Sequence, residues 1–316
     1  IFKTSDHAEI KAVTVGALPD MVTFSPDGNF ILTANEGEPN ADYSIDPKGS
    51  ISIIDINNNY AVNTLYFDNF ASQETALKVK GLRIFGPNAT FATDIEPEYI
   101  TISADSKTAW VTLQENNGIA KVNIVTKAIT DIFPLGFKDY AATGNEIDPN
   151  DKNELYQAAK WNVKGIYMPD AISVIEQNNI PYLFTANEGD AREYDTFEEE
   201  VRIGSKKVTL DPAKFPNASE LKGDLLGRLN ITNTLGDTDG DGDYDELYSF
   251  GSRSFSVWNG LTGAQVFDSK NELDIKANEL GKYDDGRSDN KSVEPEGIAT
   301  GKVGKTQVVF VGLERA

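Results

Sequence analysis

The sequence predicts an all-β protein, a β-propeller of four-stranded blades of the YVTN/WD40 kind. Three observations carry that expectation. A two-strand unit recurs four times. The strands are separated by residues with specific turn chemistry. Helical periodicity is weak throughout, with 153–160 as the only modest candidate.

The first unit opens at Leu18-Pro19-Asp20, runs as a strand from Met21 to Phe24, turns at Ser25-Pro26-Asp27-Gly28 and returns from Phe30 to Ala34 into Asn35-Glu36. Pro presets one φ of that turn and Gly supplies a positive one. The second unit opens at Glu96-Pro97-Glu98, with strands from Tyr99 to Ile102 and from Ala109 to Leu113, and closes at Gln114-Glu115-Asn116. The third opens at Met168-Pro169-Asp170, with strands from Ala171 to Ile175 and Tyr182 to Ala186, and closes at Asn187-Glu188-Gly189. The fourth opens at Glu294-Pro295-Glu296, with strands from Gly297 to Thr300 and Val308 to Gly312, and closes at Leu313-Glu314-Arg315. These strands are β-branched and aromatic runs bounded by Pro, Gly, Asn and Asp.

Further strands complete the blades. Ser50 to Asp55 and Asn63 to Phe67 serve the first, Ile119 to Ile124 and Ala128 to Phe133 the second, Ser254 to Trp258 and Ala264 to Phe267 the third. Stretches 68–93, 137–167, 190–224 and 269–293 fall outside the pattern and read as insertions on one propeller domain spanning 1–316. The run Glu198-Glu199-Glu200 reads as a solvated face. The last blade stops after two strands. The expectation is therefore a ring of seven blades in the full protein, truncated here and completed by the rest of its own chain or a second fragment. Glu9 to Val15 is the candidate for an orphan outer strand.

Charge narrows the function. Fifty acids against 29 bases give a net charge of -21. Such a chain repels nucleic acid and anionic lipid, so neither is an expected partner. The chain has no Cys, which removes disulfides, thiolate metal sites and cysteine catalysis. Its one His, His7, reads as a surface residue, so histidine-based triads and zinc sites are not expected. No stretch approaches the roughly 18 apolar residues that would span a bilayer. Four glycosylation sequons begin at Asn88, Asn217, Asn230 and Asn290, a pattern common by chance.

The repeat makes a site argument. In an antiparallel pair, the start of the first strand and the end of the second lie at the same end. Asp20 with Glu36, Glu98 with Glu115, Asp170 with Glu188 and Glu296 with Glu314 are 16, 17, 18 and 18 residues apart. They should gather at one mouth of the central channel, near Glu38, Asp94, Glu96, Asp190 and Glu294. Clustered carboxylates repel unless a cation or Arg intervenes. Arg192, Arg253 and Arg315 are the candidate partners, and calcium (Ca2+) the candidate cation, since it takes several oxygen ligands.

A separate calcium site is expected at Asp237, Asp239, Asp241, Asp243 and Asp245. The segment 237–246 holds six acids, with Gly240 and Gly242 between them. Acids at positions 1, 3 and 5 with Gly at 6 are the front half of an EF-hand-like loop. Tyr248 stands where the closing Glu would be, leaving Asp245 to complete the set. The role expected is structural, stapling the insertion in the third blade.

Several long motifs resemble the choice-of-anchor I domain family. They are Leu18-Pro19-Asp20-Met21-Val22, Thr33-Ala34-Asn35-Glu36-Gly37-Glu38-Pro39-Asn40, Asp94-Ile95-Glu96-Pro97-Glu98-Tyr99-Ile100, Thr112-Leu113-Gln114-Glu115-Asn116-Asn117, Thr185-Ala186-Asn187-Glu188-Gly189-Asp190-Ala191-Arg192-Glu193-Tyr194 and Gly251-Ser252-Arg253-Ser254-Phe255-Ser256. The resemblance runs from about residue 10 to the end of the chain. It implies a secreted or surface-anchored propeller, akin to mesenchyme-specific cell-surface glycoproteins and secreted bacterial proteins. Some of those relatives carry alkaline phosphatase or phytase-like labels. Two functions follow as expectations. One is an extracellular calcium-binding module with a matrix, adhesion or surface-structural role. The other is a metal-dependent hydrolase of small phosphoesters, with Glu36, Glu98, Glu115, Glu188 and Glu296 holding calcium and Arg192 or Arg315 steadying developing charge.

Overall fold

A computed structural model describes residues 1–316, apart from the side chain of Asp224. The first sheet consists of β1 (Pro19–Phe24), β2 (Phe30–Asn35), β3 (Ser50–Asp55) and β4 (Ala61–Tyr66), each antiparallel to the one before. β5 (Ile100–Ile102), β6 (Thr108–Leu113), β7 (Gly118–Asn123) and β8 (Ala128–Pro134) repeat that arrangement. After β9 (Phe137–Asp139) and β10 (Lys164–Ile166), the third sheet begins with β11 (Ile172–Gln177) and β12 (Ile180–Asn187). It is interrupted by β13 (Glu193–Tyr194), β14 (Phe197–Glu198), β15 (Glu200–Arg202), β16 (Asn230–Thr232) and β17 (Tyr248–Ser249). β18 (Ser254–Asn259) and β19 (Gln265–Asp268) complete it. β20 (Pro295–Val303) and β21 (Thr306–Leu313) form a last pair. The leading strands β1, β5, β11 and β20 abut one another in turn, as inner strands of consecutive propeller blades do.

Each turn between leading strands solves the same problem in its own way. In the first, the Ser25 hydroxyl donates to Asp27 at 2.6 Å and Gly28 takes φ 72°. In the second, Ser103 donates to Asp105 at 2.8 Å, and Ser106 occupies the left-handed position at φ 59°. The Ser106 hydroxyl then accepts from Asp27 N at 3.0 Å, tying the two turns together. In the third, Asn178 and Asn179 both have positive φ, the two-residue turn that matches strand twist.

Strands β2, β3 and β6 are buried almost throughout: the first and third blades lie on either side of β6, while β2 and β3 face the second blade on one side and the segment 12–15 on the other. Leu32, Ile51, Ile53, Val111, Leu113 and Val122 fill the space between the first two blades. Trp110, Ile119, Leu183 and Trp258 fill the next, and Ala171, Ala186 and Ile298 the third. The insertion in the third blade has its own core, including Val201, Ile203, Leu210, Phe215, Leu229 and Ile231.

A buried polar ladder closes the second strand in two blades. The Thr33 hydroxyl donates to Asn35 Oδ1 at 2.9 Å, and Asn35 Nδ2 donates to the Ser50 and Ser52 hydroxyls at 3.2 and 3.1 Å. In the third blade Thr185 donates to Asn187 at 2.8 Å, and Asn187 Nδ2 reaches Ser256 at 2.8 Å. The chain of bonds continues: Trp258 Nε1 donates to Thr185, Ser256 donates to Asp268, and Lys138 pairs with Asp268. Satisfied networks of this kind fix strand ends because any slip leaves buried polar groups unpaired.

Three local expectations are corrected. Residues 153–160 form no helix; the longest helix is Glu272–Glu279, with short ones at Glu74–Lys78, Phe91–Asp94 and Ala218–Glu220. The segment has too few apolar residues at helical spacing to bury a face. Glu9 to Val15 is not a strand. Only Glu9 bridges, to Phe2, while Ala12, Val13 and Val15 line a cleft of about 510 Å³ with Met21, Val22 and Phe24. Covering that apolar side of β1 wins over pairing with an outer edge. The run 198–200 is not a solvated face: Glu199 is fully buried between two arginines.

The ladder yields a test. Asn187→Ala orphans buried partners and should cost about 1–3 kcal/mol in urea unfolding. Asn57→Ala, on an exposed asparagine, should stay within about 0.5 kcal/mol. Equal effects would remove the ladder's structural role.

Candidate functional site: the acidic mouth

The strand registers bring the paired acids to one end. Glu36 N donates to Leu18 O at 2.9 Å, Glu98 N to Thr112 O at 3.0 Å, and Asp170 N to Ala186 O at 3.1 Å. In three units the residue before the proline is left-handed: Leu18 at φ 47°, Met168 at 45° and Glu294 at 48°. A non-Gly residue seldom adopts that conformation, and its recurrence shows that the turn into each inner strand is held by what surrounds it.

Adjacent blades meet closely here. A Cβ on Gly49 would lie 1.8 Å from Ile95 O, 2.7 Å from Glu36 O and 2.7 Å from Pro97 Cδ, so only glycine allows the two acid-bearing turns to approach. The Thr112 hydroxyl donates to Asp170 O at 2.8 Å, joining the second blade to the third. Gln114 Nε2 donates to Glu188 at 3.2 Å.

The gathered acids perturb one another. Burial, then Glu38, Asp20 and Glu115, raise the Glu36 pKa to about 8. Glu115 is pushed to about 7, chiefly by burial, with Arg192 opposing. Asp170 also rises to about 7, through burial and then Glu188 and Glu296. Burial, then Glu115, Asp170, Asp20 and Glu36, raise Glu98 well above the ordinary carboxylate range.

Beneath them lies a clamp. Arg192, 4% exposed, donates to Asp94 Oδ1 at 2.7 Å, to Asp94 O at 2.8 Å, and twice to Glu96 Oε2 at 3.0 and 2.6 Å. Burial opposes its charge, but Glu96, Asp94 and Glu115 outweigh that and hold its pKa well above the usual value. Its main-chain N–H donates to Glu199, which also pairs with Arg83. The Phe85 ring lies 4.1 Å from the Arg83 guanidinium and 4.5 Å from that of Arg192, a cation–π contact on both. Asp94 takes the N–H groups of Phe85 and Gly86 at 2.9 and 2.7 Å.

The fourth blade behaves differently. Glu188, Glu294 and Glu314 place ligand oxygens within 4.8 Å of one another, but basic groups already occupy the space. Lys291 reaches Glu188 at 2.9 Å, Arg287 reaches Glu294 at 2.5 Å, and Arg315 reaches Glu314 at 3.1 Å. Glu296 is exposed and lies outside that group, yet it is near enough to Asp170 to help raise that acid, while Glu294 joins Glu188 and Glu314. Arg253 is not a partner of the mouth. It is 2% exposed and donates to the carbonyls of Asp148, Ser288 and Asn290. Arg192 is saturated by its carboxylates, whereas Arg315 keeps a half-exposed side chain.

In the aspartate loop, Asp237, Asp239 and Asp245 bring oxygens within 4.8 Å, while Asp241 and Asp243 stand outside that group. Gly240 N and Gly242 N donate to Asp237 at 2.7 and 3.0 Å, and the Thr238 hydroxyl to Asp245 at 2.6 Å. Among the described residues no Lys or Arg pairs with these three.

Sequence reasoning missed Arg83, Phe85, Glu199 and Lys291. None belongs to the repeat, and nothing in their spacing marks them. The Thr-x-Asn ladder was visible as Thr33-Ala34-Asn35 and Thr185-Ala186-Asn187, although its function was not.

Comparison with known proteins places the chain. The choice-of-anchor I domain matches it over residues 1–316. Gigasin-3a of Magallana gigas is 33% identical over 106 residues, covering 29% of this chain and 37% of that protein. The matched stretch is thus well under half the length of that curated relative. Among solved structures, dihydro-heme d1 dehydrogenase NirN in complex with DHE is 10% identical, with 84% of this chain and 40% of that one covered at a TM-score of 0.31. The Myceliophteria thermophila Cps50 (Swd1) β-propeller domain is 10% identical over 83% of this chain and 58% of that one, at a TM-score of 0.28.

The clamp and the raised acids each predict a measurement. Arg192→Ala leaves Asp94 and Glu96 buried without their partner and should cost about 3–5 kcal/mol in urea unfolding. Arg192→Lys keeps the charge but not the fork, and should recover only part of that. A loss below about 1 kcal/mol for the alanine variant would show the clamp to be dispensable. In EDTA, the folded mouth retains protons that the unfolded chain releases near pH 4. Stability should therefore fall as pH rises from about 4.5 to about 8. Urea midpoints that rise across that window would contradict the shifts.

Proposed function

The chain belongs to the choice-of-anchor I domain family, and from that premise we propose that it is a secreted or cell-surface β-propeller module that binds calcium and serves a matrix, adhesive or surface-structural role. The observation that carries the calcium reading is the group formed by Asp237, Asp239 and Asp245. Three carboxylates with mutually close oxygens and no salt bridge to a base suit a hard divalent cation with oxygen ligands, although Lys214 lies near Asp245. The donor set fits calcium better than zinc, which favours nitrogen and sulfur.

Within this reading Asp237, Asp239 and Asp245 hold the ion. Asp241 and Asp243, next to the group on the same loop, supply additional negative charge. The loop joins β16 to β17, and Asp211 N donates to Tyr244 O at 3.1 Å, so an ion here ties the insertion to itself. Millimolar extracellular calcium would fill even a weak site of this kind. No helix among the described residues is long and apolar enough to cross a membrane. Attachment to a surface would then come through a partner or another part of the protein.

Adding EDTA should lower the melting temperature and expose the 190–250 insertion to protease, with calcium restoring both. The variant Asp237→Asn/Asp239→Asn/Asp245→Asn should show neither response. If EDTA changes neither melting nor cleavage of the wild-type insertion, the stapling role fails.

A further inference from the structure

We propose that the fourth-blade carboxylates Glu188, Glu294 and Glu314 form a divalent-cation site that the chain keeps closed with its own Lys291, the ammonium standing where the ion would lie, so that lysine and metal exclude each other.

The first support is the ligand geometry. These three glutamates bring oxygens within 4.8 Å of one another. They arrive from separate segments, and each is held. Glu314 N donates to Glu294 O at 2.9 Å, and Gln114 Nε2 donates to Glu188 Oε2 at 3.2 Å. Calcium takes about six to eight oxygens, which three carboxylates and water can supply.

The second support is that a cationic group already sits among them. Lys291 Nζ lies 2.9 Å from Glu188 Oε1, 3.7 Å from Glu294 Oε2 and 3.8 Å from Asp190 Oδ1, with its side chain 12% exposed. Arg287 pairs with Glu294, and Arg315 with Glu314 and Glu294, both from more exposed positions. Lys291 is thus the base that joins Glu188 to Glu294. Burial opposes its charge, but Glu188 and Asp190 outweigh burial and raise its pKa, so the ammonium persists at neutral pH.

The third support is the charge balance. Glu188, Asp190, Glu294 and Glu314 carry four negative charges, and Arg287 and Arg315 return two. The two left over equal the charge of a divalent ion, and Lys291 meets one of them.

The fourth support is the anchorage of Lys291. Asn290 N and Ser292 N both donate to Arg287 O, at 3.1 and 3.0 Å. Arg253 donates to Asn290 O at 3.0 Å, and the Ser292 hydroxyl to Asp274 at 3.0 Å. The pivot is fixed on both sides, so the stem is a short tether. A tethered ammonium acts at high effective concentration and outcompetes a free ion. This closed site is separate from the aspartate loop and is tested with that loop disabled.

The test is calcium binding by equilibrium dialysis and calorimetry on the whole chain, in the parent variant Asp237→Asn/Asp239→Asn/Asp245→Asn. Adding Lys291→Met should raise the stoichiometry by one ion, and adding Glu188→Gln to that should abolish the gain. Lys291→Arg keeps the charge and should gain nothing. In EDTA the Lys291→Met protein should melt below its parent, and calcium should raise its melting point more than the parent's. Lys291→Gln, which keeps a donor for Glu188, is the milder variant if methionine prevents folding, and the same gain is expected. The proposal is overturned if neither Lys291→Met nor Lys291→Gln gains an ion, if Lys291→Arg gains as much, or if the parent already binds an ion that Glu188→Gln removes.

Discussion

The buried guanidinium of Arg192 is the interaction on which the mouth depends. It arrives on the segment after β12, in the third blade, and binds groups that precede β5, in the second. A fork that meets two carboxylates and a carbonyl fixes distance and angle together, which an ammonium would not. Burying such charges is costly, and their mutual attraction offsets the cost only when every donor is placed. Here they are placed, and the Phe85 ring covers the guanidinium face. The clamp thereby sets the position of Glu96 and, through the adjoining proline, Glu98.

Repetition does the rest. The Thr-x-Asn ladders end β2 and β12 in the same way, and each is followed at once by a mouth glutamate. The second blade departs from this. Gln114 occupies the corresponding position, Asn117 and Ile119 stand where the serines would be, and Asn116 and Asn117 take over by bonding loop carbonyls. Different side chains thus reach a common end, with one acid before each inner strand and one after its partner.

The periodic part of this arrangement was legible in the sequence. Strand alternation, Pro–acid openings and closing glutamates mark the blades, because those features are local and recur. The convergence of Glu36, Glu98, Glu115 and Asp170 followed from antiparallel pairing alone. What escaped was set by contacts distant in sequence. Glu199 looks solvated in an acidic run, yet Arg83, more than a hundred residues earlier, draws it inside. Arg253 sits in a motif that suggests a charged partner, but backbone carbonyls satisfy it.

The burial of Glu199 bears on how such a protein changes over time. The insertion that carries it looks like decoration, a stretch that homologous chains or an engineer might shorten to a plain hairpin. Deleting it would strand the Arg83 guanidinium in the interior and, because Arg192 lies on the same insertion, leave Asp94 and Glu96 buried without their partner. The ornament and the mouth are therefore one heritable unit: loop lengths elsewhere can drift, while this segment can be lost only if Arg83, Asp94 and Glu96 change with it.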